Sequence, residues 1–147
     1  FSDPFIFHAV ENWLRPDPDA FTNRVTPLLA DPERAGRLVE ACAVTHVRRF
    51  FPTFYIKAEG EVDIAYVRRG KFVPVEVKWT SRPRPVDARH LETFLDEFPR
   101  RARRGLLVCR CPRPQQLTDR VTAIPWDALI QMAMSIPANM PSRWGLV

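Results

Sequence analysis

The chain predicts a mixed α/β domain, with a sheet of about four to five strands flanked by helices in the order α-β-β-β-α-β. Three observations predict it. Residues 31–51 carry apolar side chains at helical spacing, and residues 54–79 hold three segments of alternating or apolar character separated by turn residues. A second helical segment, 86–98, then separates these from a largely apolar strand at 105–111. A strand, a helix and another strand require a crossover, so part of the sheet is parallel.

Along the chain, residues 3–14 predict a short helix, with Asp3 as N-cap and Pro4 at its first position. Residues 16–32 read as loop with one helical turn. Asp31 and Pro32 open the next helix, 33–49, in which Leu38, Cys42, Val44 and Val47 recur on the helical period. Strands follow at 54–58, 61–68 and 72–79. In the second, Val62, Ile64 and Tyr66 share one face; in the third, Val73, Val75, Val77 and Trp79 do. "RGK" between these two predicts a tight antiparallel hairpin. A proline-rich loop leads into the helix 86–98, with Leu91, Phe94, Leu95 and Phe98 inward. The strand 105–111 is followed by a short strand, a helix at 126–134 and an irregular tail.

With 147 residues, one domain with one core is expected. The 46% hydrophobic and 27% charged composition is that of a globular protein, with no tract long enough to span a bilayer. The first residues lack the basic start and apolar run of a signal peptide. The chain starts with Phe, which suggests a piece of something longer. Cys42, Cys109 and Cys111 form no disulfide framework and point to a reducing, cytoplasmic setting. "CRC" lacks a second ligand pair, so Cys109 and Cys111 read as small core residues. The fifteen prolines fall at element ends, as in an ordered domain.

Net charge is +5, compatible with a nucleic-acid partner without requiring one. Seven arginines and no lysine lie between Arg82 and Arg104. Arginine suits phosphate because its planar fork donates two hydrogen bonds together. Arg82, Arg84 and Arg89 directly follow the third strand, where they are placed to grip a nucleic-acid backbone.

The hairpin carries the chemistry. Glu61 and Asp63 share a face opposite Val62 and Ile64, and Glu76 and Lys78 lie opposite Val75 and Val77. One face is apolar and the other acidic. Carboxylates so close repel. A divalent cation, Mg²⁺ or Mn²⁺, compensates hard oxygen ligands. Such an ion acidifies water and stabilises a pentavalent phosphate, and a nearby lysine orients the nucleophile or neutralises charge; this is what phosphodiester hydrolysis needs. The plainer alternative is an exposed sheet edge with Glu–Lys pairs. His8, His46 and His90 read as structural or surface groups, and buried packing suits most of Trp13, Trp79, Trp126 and Trp144 better than base stacking.

"GEVDIAY" followed by "VPVEVKW" resembles the core motif of the PD-(D/E)XK, or restriction-endonuclease-like, nuclease superfamily. The resemblance implies a restriction-endonuclease-like core. It also implies that Asp63, Glu76 and Lys78 are the catalytic acid, acid and lysine, and that Glu40, on the preceding helix, is the further acid. Glu40, Asp63 and Glu76 would then hold one or two metal ions, with the Val77 carbonyl as a further ligand, and Lys78 would position the attacking water. The usual Pro-Asp is replaced by Val62-Asp63; Glu61 shares the face of Asp63 but lies less far into the strand.

Together, "FSDPFIFHAVENWL", "GRLVEACAVTHVRR", "EVDIAYV" and "VPVEVKW" resemble the C-terminal nuclease-like domain of a bacterial and archaeal family of AAA+-type ATPases, over roughly residues 1–110. The pattern GxxxxGK[ST] is absent, so the resemblance implies an ATPase portion upstream. Two functions follow as expectations: a metal-dependent DNA nuclease, or a nuclease fold kept to bind and regulate an attached ATPase.

Overall fold

The computed structural model describes residues 4–54, 56 and 59–134, without the side chains of Phe5 and residues 132–134. The expected cap at Asp3, most of the strand at 54–58, Trp144 and the C-terminal tail lie outside the described residues. Helices α1 (Pro4–Leu14), α2 (Thr26–Ala30), α3 (Pro32–Arg48), α4 (Arg89–Glu97) and α5 (Trp126–Met134) accompany strands β1 (Thr53–Phe54), β2 (Ile64–Arg68), β3 (Lys71–Val77), β4 (Gly105–Cys109), β5 (Gln115–Gln116) and β6 (Val121–Pro125). The strands form one sheet of six in the order β1-β2-β3-β4-β6-β5. Pairings β3–β4 and β4–β6 are parallel and the others antiparallel. The mixed α/β class and the crossover are as expected. The sheet exceeds the expected four to five strands because the polar pair Gln115–Gln116 adds an edge strand that no apolar pattern marks.

Local chemistry explains the elements that matter. The Asp31 carboxylate caps α3 by accepting from the amides of Glu33 at 3.0 Å and Arg34 at 3.3 Å, and Pro32 starts the first turn. Ala35, Val39, Ala43 and Val47, four residues apart, set the inward stripe of α3. The β2–β3 hairpin closes through Arg69 (φ 51°) and Gly70 (φ 73°). Two consecutive positive φ angles match the right-handed twist of the strands they join. The segment expected as loop with one helical turn at 16–32 holds two, a wide turn, Phe21–Val25, running directly into α2.

Helices cover both faces of the sheet. Ile64, Tyr66, Val75, Val77, Val108 and Ile124 pack against α3 and α5. Ala65, Leu107, Val121 and Ala123 pack with Leu91, Phe94 and Leu95 of α4. The expected contrast between an open acid face and a covered apolar face is thus corrected. Val62 is corrected too: it packs on the α4 side, apart from Ile64 and Tyr66, because β2 starts only at Ile64 and the alternation does not extend back through Asp63. Cys109 and Cys111 lie together in the α4-side core, and burial pushes the Cys109 thiol up to about 11. Among the described residues no helix is long and apolar enough to cross a membrane.

Candidate active site

The site forms where β2 begins and β3 ends. Ile64 pairs with Val75, so one further step in the same register sets Asp63 beside Glu76. Asp63 Oδ2 accepts the Val77 amide at 2.6 Å, which ties the start of β2 to the end of β3. Glu76 follows the strand alternation onto the α4 face. It is 3% exposed and is the charged residue in the core among the described residues. Lys78 donates from Nζ to Glu76 Oε1 at 2.6 Å. The other oxygen, Oε2, is buried and has no hydrogen-bond partner.

Glu40 approaches from the far layer. Gly36, Glu40 and Val44 form a row beside the inward stripe of α3, which turns the carboxylate towards the strand ends. Glu40, Glu61, Asp63 and Glu76 line one cavity of about 580 Å³, together with Arg48 and His90. Glu40 also borders a second cavity of about 740 Å³, on the side of Lys78, Arg82 and Arg84. The three expected acids and the lysine therefore meet at one place, with Glu40 as the wall between two chambers.

The electrostatics match that placement. Burial, then the charge of Asp63, pushes the Glu76 carboxyl up to about 7, against the opposing pull of Lys78. Asp63 is raised by burial, although the Val77 amide, Lys78 and His90 oppose the shift. Glu40 is raised by burial and by Asp63. For Lys78, burial pulls downward, but the Glu76 bond and the charges of Glu76, Asp63 and Asp87 outweigh it and leave the ammonium harder to deprotonate than usual.

Glu40, Asp63 and Glu76 resist ionisation chiefly because they are buried, a penalty that a divalent ion would relieve, and Glu76 Oε2 is a buried acceptor without a hydrogen-bond partner among the described residues. Among the described residues, however, no group of three or more His, Cys, Asp or Glu is already arranged to hold an ion. Val77 lies between Glu76 and Lys78, with its amide already bound to Asp63.

His90 is the site residue that the sequence reading passed over. Its Nδ1 lies 3.7 Å from Glu76 Oε1, because α4 starts above the end of β3. The signal available was its place at the head of the first helix after Glu76-x-Lys78. Arg82 and Arg84 line the Lys78 chamber, whereas Arg89 extends towards His90, Nη2 to Nε2 3.5 Å. Trp79 lies beneath Arg110, whose guanidinium carbon is 4.3 Å from the ring centre, and Trp13 is exposed.

The family described as "Domain of unknown function (DUF4143)" matches residues 35–129. That segment contains every residue of the acid–lysine cluster and excludes α1 and α2. No curated protein and no solved structure matches the chain.

Proposed function

We propose that the chain, which belongs to the DUF4143 family, is a metal-dependent phosphodiesterase domain of the PD-(D/E)XK type that hydrolyses nucleic acid, DNA foremost. The observation that carries the reading is Glu76: a buried carboxylate with one oxygen on Lys78 and the other unpartnered, beside Asp63. A structural ion pair does not need a second, orphaned oxygen, and burying one is costly.

In this reading Glu40, Asp63 and Glu76 hold Mg²⁺ or Mn²⁺, with the Val77 carbonyl as a further ligand. The bound ion supplies positive charge to acidify water and to stabilise the phosphate as it becomes pentavalent. Lys78 donates hydrogen bonds to the attacking water or to a phosphate oxygen, and its persistent charge suits that role. Asp63, held by the Val77 amide, fixes the start of the site relative to β3. The buried thiols of Cys109 and Cys111, which form no disulfide, support placing the domain in the cytoplasm.

The experiment is a nicking assay on supercoiled plasmid with Mg²⁺ and Mn²⁺, using wild type, Asp63→Ala and Lys78→Ala. Metal-dependent nicking should fall at least ~100-fold in both variants. Cleavage that persists in both sinks the assignment.

A second reading is favoured by one feature: Lys78 already neutralises Glu76 without a cation. A nuclease fold in that condition suits a module that binds nucleic acid or a partner and regulates an AAA+-type ATPase portion of the same protein. Metal binding without cleavage of any DNA form supports this second reading.

A further inference from the structure

The second chamber differs in charge from the first. Four carboxylates and one arginine line the first; in the second, four cations on three different parts of the chain, Arg37, Lys78, Arg82 and Arg84, outnumber the carboxylates Glu33, Glu40 and Asp87. The two chambers share only Glu40. Burying phosphates against the first would meet repulsion until cations arrive, whereas the second is already cationic where it meets Lys78.

The arginines of the second chamber stand on fixed backbone. The Thr80 amide donates to the Lys78 carbonyl at 2.8 Å, and the Arg110 amide donates to the Thr80 carbonyl at 2.8 Å. The Arg82 amide donates to Thr80 Oγ1 at 3.2 Å, and the Arg84 amide donates to Asp87 Oδ2 at 2.8 Å. Their guanidinium groups, by contrast, are loosely engaged. Arg82 makes no ion pair among the described residues. Arg84 lies 4.0 Å from Asp87, and Arg37 pairs with Glu33 where both side chains are about three-quarters exposed. Exposed pairs of that kind contribute at most about 1 kcal/mol, so a phosphate can displace them. Fixed stems with available forks are what bidentate phosphate recognition requires.

We infer that the second chamber is the groove for a phosphodiester backbone, gripped by Arg37, Arg82 and Arg84 and leading across Lys78 to the acid chamber. The inference rests on the hydrolase reading above and adds Arg37, on α3, as a contact. It also sets the direction of approach: phosphates flanking the scissile one lie on the Trp79–Arg84 side, and the scissile phosphate sits at the Glu40 wall. DNA and RNA share this backbone chemistry.

The test is fluorescence anisotropy in EDTA, where binding is separated from cleavage, with duplex DNA, single-stranded DNA and single-stranded RNA across a salt series. Wild type is compared with Arg37→Gln/Arg82→Gln/Arg84→Gln and with Arg68→Gln, which sits at the hairpin turn on the opposite end of β2. Each phosphate contact adds about 0.7 to 0.9 to the slope of log affinity against log salt, so the triple variant should lose about 2 to 3 of that slope on whichever nucleic acid wild type binds. Arg68→Gln should lose none. A triple-variant slope equal to wild type overturns the groove while leaving the hydrolase reading standing. Failure of wild type to bind any of the three in EDTA also overturns the groove, while the hydrolase reading is decided separately by the metal-dependent nicking assay. If the triple variant does not fold, the exposed single changes Arg82→Gln and Arg84→Gln carry the test, each expected to lose about 0.7 to 0.9 of slope.

Discussion

Glu76, buried, and Lys78, partly exposed two residues on, meet at 2.6 Å, yet the second oxygen of Glu76 has no hydrogen-bond partner among the described residues. An ion pair selected for stability would satisfy both oxygens; this one keeps a carboxylate oxygen in reserve.

That reserve destabilises the metal-free protein. The folded-state pKa of Glu76, about 7, lies above its ordinary value of 4.5, and Asp63 and Glu40 shift the same way. Such groups bind protons more tightly when folded, so their stabilising effect is complete below about pH 4.5 and is lost as pH rises through 7. Chemical denaturation in EDTA should therefore show greater stability at pH 5.5 than at pH 8. Glu76→Gln should flatten the dependence and raise stability at pH 8 by about 1–3 kcal/mol. A Glu76→Gln protein less stable than wild type at pH 8 contradicts the proposed strain.

Adding the cation should reverse the penalty. At about 100 times its dissociation constant, Mn²⁺ should stabilise wild type by about 2.7 kcal/mol at pH 8. Asp63→Ala should gain little. Equal melting-temperature shifts in both proteins would place the ion elsewhere.

Gly60 sets the distance between the acid segment and α4. A Cβ there would collide with the Phe94 backbone and lie 2.7 Å from the His90 carbonyl oxygen. Gly60→Ala should destabilise by about 1–3 kcal/mol through overpacking. It should also weaken Mn²⁺ binding, since the same segment carries Asp63. Thermal melts and metal titration check both effects, and an unchanged melting temperature refutes the close packing.

Arg69 occupies the left-handed region in the β2–β3 turn, where a non-glycine residue costs about 1–2 kcal/mol. Asparagine tolerates that conformation better. Arg69→Asn should raise the unfolding midpoint by a fraction of that cost without changing metal affinity. Destabilisation would mean that the arginine side chain, rather than its backbone, sets the turn.

The hairpin's chemistry was legible in the sequence because it is local. A tight turn fixes the register, the register puts Asp63 beside Glu76, and strand alternation puts Lys78 on the same face. Resemblance to a family motif singled out Glu40, and the structure places it on α3 lining one cavity with Asp63 and Glu76. The burial of Glu76 was not legible, since it depends on α4 crossing back over the sheet after a proline-rich loop. That non-local packing also brings His90 to Glu76, at which the sequence hints only through its place at the head of the next helix. The switch of Val62 to the α4 face follows from the chain bending at Asp63, where alternation alone predicts a continuing strand. Gln115 and Gln116 pair with β6, and Gln116 Oε1 also accepts from the Thr122 hydroxyl at 3.1 Å, but two polar residues in a row carry no apolar alternation that would mark a strand.

Isothermal titration of the metal-free protein with Mn²⁺ at pH 6.5, repeated in buffers of different ionisation enthalpy, tests the central claim most directly. Because Glu76 holds its proton near that pH, uptake of the ion should release part of a proton and make the heat buffer-dependent, and both the binding and the proton release should vanish in Asp63→Ala. Binding that is equally tight in Asp63→Ala, or no binding by wild type, contradicts a cation site between Asp63 and Glu76.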